Sequence, residues 1–142
     1  MTFFADHSRD QLRAAYREAW RKWRAGLPLQ PLEGHIAEAI LAHPEYHPLL
    51  QNDASLTQDF SAAGAHTNPF LHLGLHLALR EQISTDRPAG IAGVHRRLAG
   101  TLASEHAAEH RMIELLAETL WEAQRSGRPA DEAVYLERLR RL

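Results

Sequence analysis

Hydrophobic positions recur at spacings of three and four along most of the chain and nowhere alternate for long, which predicts helices and no strands. In the first run Leu12, Tyr16, Trp20 and Trp23 share a face, with Arg9, Arg13, Arg17, Arg21, Lys22 and Arg24 largely around them. Ser8 followed by Gln11 reads as a capping box, and Gly26 with Pro28 stops this helix. A second helical stretch is expected over roughly residues 32–42. His43 before Pro44 reads as an N-cap and first-turn pair that opens a short helix through Leu50. Residues 51–66 hold no sustained period and are expected to form a long loop. Asn68 and Pro69 start a third main helix that runs to about Ser84, where TDRPAG breaks it. One long helix is expected next, from about Ile91 to Arg125, weakened at Gly100 and closed by SGRP with Gly127 just past its end. Asp131 to Leu142 makes a last amphipathic helix. The expectation is one all-α domain over residues 1–142, a bundle of about four to five main helices.

Composition narrows the function classes. Length and a 44% hydrophobic share suit a single globular core. A net charge of −2 gives no global pull toward nucleic acid or membrane, and no apolar run is long enough to span a bilayer. The opening MTFFADHSRD lacks a signal-peptide pattern, so the cytoplasm is the expected compartment. Cysteine is absent, which removes disulfide and thiolate chemistry. The unusual number is ten histidines.

Six of the ten fall into three HxxxH pairs: His43–His47 in HPEYH, His72–His76 in HLGLH, and His106–His110 in EHAAEH. Random placement would give about 0.7 such pairs. Residues four apart lie about 40° apart on a helix, so two imidazoles so spaced reach one metal ion. Two such helices face to face in a bundle supply four nitrogens, a donor set suited to zinc, iron, copper or nickel. His95 is placed on the same stripe as His106 if the long helix is continuous, though too far along it to share a metal. Glu109 is the preferred carboxylate, with Glu45 and Glu105 as weaker ones; Glu81 points away from His72.

The plainer account of each pair is structural. His43 can cap a helix with His47 exposed, and His106 and His110 sit among Glu105, Glu109 and Arg111 as on a solvated face. His72 and His76 are the hardest to explain this way, because Leu71, Leu73, Leu75, Leu77 and Leu79 leave few polar partners nearby in sequence. His7, His35 and His66 read as incidental. The chain has no glycine-rich phosphate loop, no HExxH and no ExxH. The basic, aromatic first helix reads as a core-packed helix with a solvated basic side rather than a nucleic-acid or membrane surface.

The segments AWRKWRAGLPLQPLE, HPEYH, TNPFLHLGLHLALREQ and EHAAEH, in that order, resemble a family of small bacterial proteins known as domain of unknown function 1841. The resemblance covers nearly the whole chain and implies a bacterial protein of this length; the family name carries no activity. A looser likeness is to histidine-rich helical metalloproteins, the hemerythrins and DinB-like bundles. It implies a metal site within a bundle, but the HxxxE and HxxxxD motifs of hemerythrins are missing, with only Glu81 standing five after His76.

These readings converge on a transition-metal-binding helical protein, with His72, His76, His106 and His110 as ligands between two helices. His43 and His47 would add ligands for a dinuclear site, and Glu109 would be the carboxylate. Iron or zinc is expected first, copper or nickel next. An open coordination position would serve a non-haem metal enzyme or a small-ligand binder. The expected partner is a small molecule or a second copy of the chain, not nucleic acid or membrane. The competing accounts are a non-catalytic interaction module with structural histidines, and a metal store or carrier without substrate chemistry.

Overall fold

The computed structural model describes residues 9–52 and 68–142. All the regular structure among them is helical. The predicted Ser8–Gln11 capping box and nearly all of the predicted 51–66 loop lie outside the described residues.

Helix α1 (Arg9–Arg24) has Asp10 in its first turn and Arg21, Lys22 and Arg24 in its last, charges that complement the helix dipole. It ends in a left-handed Gly26 (φ 70°), where Leu27 N–H donates to the Lys22 carbonyl at 2.9 Å. Helix α2 (Pro31–Leu41) begins with proline in its first turn and a capping box in which Gln30 N–H donates to Glu33 Oε1 at 2.9 Å. Glu33 also holds Lys22 at 2.9 Å, tying the start of α2 to the end of α1. A 3-10 turn (Pro44–Tyr46) and the single-turn α3 (His47–Leu50) follow. Helix α4 (Pro69–Thr85) is capped by Asn68, whose Oδ1 accepts from Leu71 N–H at 3.2 Å.

The predicted helix from Ile91 to Arg125 is two helices, α5 (Ile91–Leu102) and α6 (Glu105–Ser126). Between them Ala103 adopts a left-handed conformation (φ 54°), and Ser104 caps α6 by accepting from Ala107 N–H at 3.0 Å. The break falls at a serine followed by an acidic first turn, a start signal that the continuous period of the flanking residues masks. Gly127 (φ 69°) closes α6 as expected, and Asp131 caps α7 (Glu132–Arg140). The described residues therefore hold seven α-helices rather than four or five.

The chain forms two compact units, one up to Leu77 and one from Ala78 to Leu142, with the division inside α4. The first packs α1 on α2 and α3 around Tyr16, Trp20, Ile36, Ile40, Leu50, Phe70, Leu73 and Leu77. Each such side chain fully buried contributes about 1.5–3 kcal/mol. Trp23, assigned to the apolar face, is 42% exposed and stacks on Trp20, while Arg13 is buried with its guanidinium 4.6 Å from the Phe70 ring centre. By helical angle Trp23 lies within the α1 face and Arg13 at its margin, so neighbours rather than angle decide which goes inside. The second unit packs α5 on α6 with α7 against both, around Ile91, Leu98, Met112, Leu116, Tyr135 and Leu139. There Tyr135 is buried and its hydroxyl donates to Gln82 Oε1 at 2.8 Å.

Candidate metal centre

Three of the predicted ligands meet in the first unit. His43 follows the end of α2, where its ring folds back on the helix and its Nδ1 lies 2.7 Å from the Ala39 carbonyl. A carbonyl only accepts, so Nδ1 carries the proton and Nε2 of the neutral ring carries a lone pair. His72 and His76 stand one turn apart on α4, as their spacing predicts. His72 Nε2 lies 3.1 Å from His43 Nε2 and 3.1 Å from His76 Nε2. All three donor nitrogens lie within 4.8 Å of one another. His43 and His76 are buried and His72 is half-buried, so the cluster meets solvent on the His72 side.

Protons alone satisfy this arrangement poorly. A neutral imidazole nitrogen either donates or accepts. With His43 Nε2 an acceptor, the single Nε2 proton of His72 has two nitrogens at 3.1 Å to serve and cannot lie along both lines. A cation that accepts three lone pairs has no such conflict. Nitrogens bound at about 2.0–2.1 Å lie about 3.3 Å apart around a tetrahedral ion and about 2.9 Å apart at right angles. The observed spacings of 3.1 Å fall between these two values.

Tyr46 was not among the expected site residues. Its ring stacks on His43 at 5.1 Å and meets His72 edge-on at 6.2 Å, so it walls the cluster. Burial, and then the charge of Glu45, push its phenol pKa above the ordinary value, which keeps it neutral. The signal was its position three after His43 in HPEYH, one turn along the chain. His47 from the same motif goes elsewhere: its Nε2 donates to the Ile40 carbonyl at 2.9 Å, and its ring lies 4.3 Å from Trp20. Glu45 is exposed on the 3-10 turn.

In the second unit His106 and His110 lie side by side on α6, ring centres 4.2 Å apart. The stripe expected to join them to His95 does not exist, because the helix breaks between them; His95 is on α5 with Nε2 buried and unpartnered among the described residues. Glu109 is buried and held by Arg80 through two contacts, Nε to Oε1 at 2.9 Å and Nη2 to Oε2 at 3.3 Å. This paired geometry is the strong form of a carboxylate contact. A hollow of about 690 Å³ in the first unit runs along α1 past Arg17, Trp20, Arg24 and Leu50 and is lined by none of the clustered histidines. Side-chain convergence, not cavity size, marks the site.

Residues 8–141 match the family described as "domain of unknown function (DUF1841)". The chain belongs to that family. No curated protein and no solved structure matches it, and the looser likeness to hemerythrins finds no counterpart there. No described helix is long and apolar enough to cross a membrane.

Proposed function

We propose that this family member binds one transition-metal ion through His43, His72 and His76. The observation that carries the reading is the meeting of three Nε2 atoms, with the opposite nitrogen of His43 held by the Ala39 carbonyl. A ligating imidazole is commonly oriented in this way, by a carbonyl on its other N–H. In this reading Glu109 anchors Arg80 rather than the ion, and His47 and His106 support the fold. The imidazole donor set selects iron, zinc, copper or nickel over magnesium and calcium, with iron or zinc first. A coordination position left to solvent would let the metal activate water or hold a small ligand, which is the route to a non-haem metal enzyme or a small-ligand binder.

The test is elemental analysis by mass spectrometry of untagged protein purified without added metal, beside the His72→Ala/His76→Ala variant. The expected result is near-stoichiometric transition metal in the wild type and none in the variant. Equal metal content in both, or none in either together with no thermal shift on adding metals, sinks the proposal.

A further inference from the structure

The chemistry of the donor set says more about what the metal would hold, given the metal reading above. His43, His72 and His76 bind as neutral imidazoles and cancel none of the charge of a divalent ion. Among the described residues the close donor group is made only of histidines. Of the carboxylates proposed from the sequence, Glu109 has both oxygens on Arg80, and Glu45 and Glu105 are exposed to solvent. His43 is 2% exposed and His76 is fully buried, so an ion between them would have little water to screen its charge. An uncompensated dication in such surroundings is unfavourable until an anion joins it. His72 is half-buried and leaves one side through which a small ligand can arrive.

We infer that the centre takes a small anion as its exogenous ligand, bound directly to the metal, and that the substrate class of the site is small anions rather than neutral molecules. Hydroxide formed from bound water belongs to the same class, and so do carboxylates and pseudohalides of two or three heavy atoms.

The full-length protein loaded with one equivalent of cobalt(II) gives the readout, because cobalt d–d bands respond to a change of ligand. Sodium azide is titrated at constant ionic strength, with acetonitrile as a neutral control of similar size. The expected result is a shift of the visible bands by azide, half-saturating at about 1 mM or below, with acetonitrile silent at the same concentration. The His72→Asp variant keeps three donors but supplies one negative charge; it should still take up cobalt and bind azide about tenfold or more weakly. Bands that stay unchanged to about 100 mM azide while cobalt is bound overturn the inference and leave the metal reading standing. Acetonitrile acting as well as azide also overturns it, as does equal azide affinity in His72→Asp. Failure of the wild-type protein to bind cobalt overturns the metal reading itself and this inference with it.

Discussion

His76→Leu separates a metal ligand from a structural histidine. His76 is fully buried on α4, and leucine has nearly its volume and a higher helix propensity. If His76 serves the fold by hydrogen bonding, its loss strands a polar partner and costs about 1–3 kcal/mol whether or not metal is present. If it is a ligand, the chelated protein should tolerate leucine within about 1.5 kcal/mol, because removing a crowded nitrogen offsets the change of shape. The difference then appears with metal. At a free concentration 100 times the dissociation constant, binding to the folded state alone adds about 2.7 kcal/mol. For a chain of this size each kcal/mol moves the melting temperature by about 2–4 °C, so zinc should raise wild-type Tm by about 5–10 °C. The assay is thermal unfolding followed by circular dichroism, with chelator and with zinc, for both proteins. The wild type should shift and His76→Leu should not. A wild type indifferent to zinc, or a variant that gains as much as the wild type, refutes the reasoning.

Three further outcomes follow from the packing. Glu109→Gln leaves Arg80 facing a neutral amide; breaking a buried pair costs about 3–5 kcal/mol, and Arg80 is 23% exposed, so a loss of about 2–3 kcal/mol is expected in denaturant unfolding, with less than 1 counting against a structural role. Ala103→Gly relieves a non-glycine residue at φ 54° and should add about 0.5–1 kcal/mol of stability, whereas a loss would show that the link does not strain Ala103. Burial holds the Tyr135 phenol pKa well above its ordinary value, so the folded state keeps a proton that the unfolded chain releases above about pH 10. That stabilisation is complete below pH 10 and is lost as pH rises further; Tyr135→Phe should flatten the fall of Tm there, and an unchanged fall would clear Tyr135 of it.

Local signals were legible in the sequence because helices are made by local forces. The stops at Gly26 and Gly127, the start at Asn68–Pro69 and the face carrying Tyr16 and Trp20 each rest on hydrogen bonds or packing within a few residues. The Ser104 break was missed because hydrophobic period continues through it, and period carries more apparent weight than a single cap. The HxxxH spacing of His72 and His76 was informative for the same reason: two imidazoles one turn apart share a face wherever the helix goes.

By itself, then, the sequence determined that this protein is helical, where most of its helices begin and end, and that paired imidazoles recur on them. Which imidazoles would meet was a tertiary decision. The same HPEYH motif sends His43 toward His72 and His76 but turns His47 to the Ile40 carbonyl and Trp20. No spacing distinguishes those two fates, because they depend on where the end of α2 lies against α4. Spacing along a helix fixes angles around one axis, whereas a metal centre needs distances between axes, and those are set only when the cores pack.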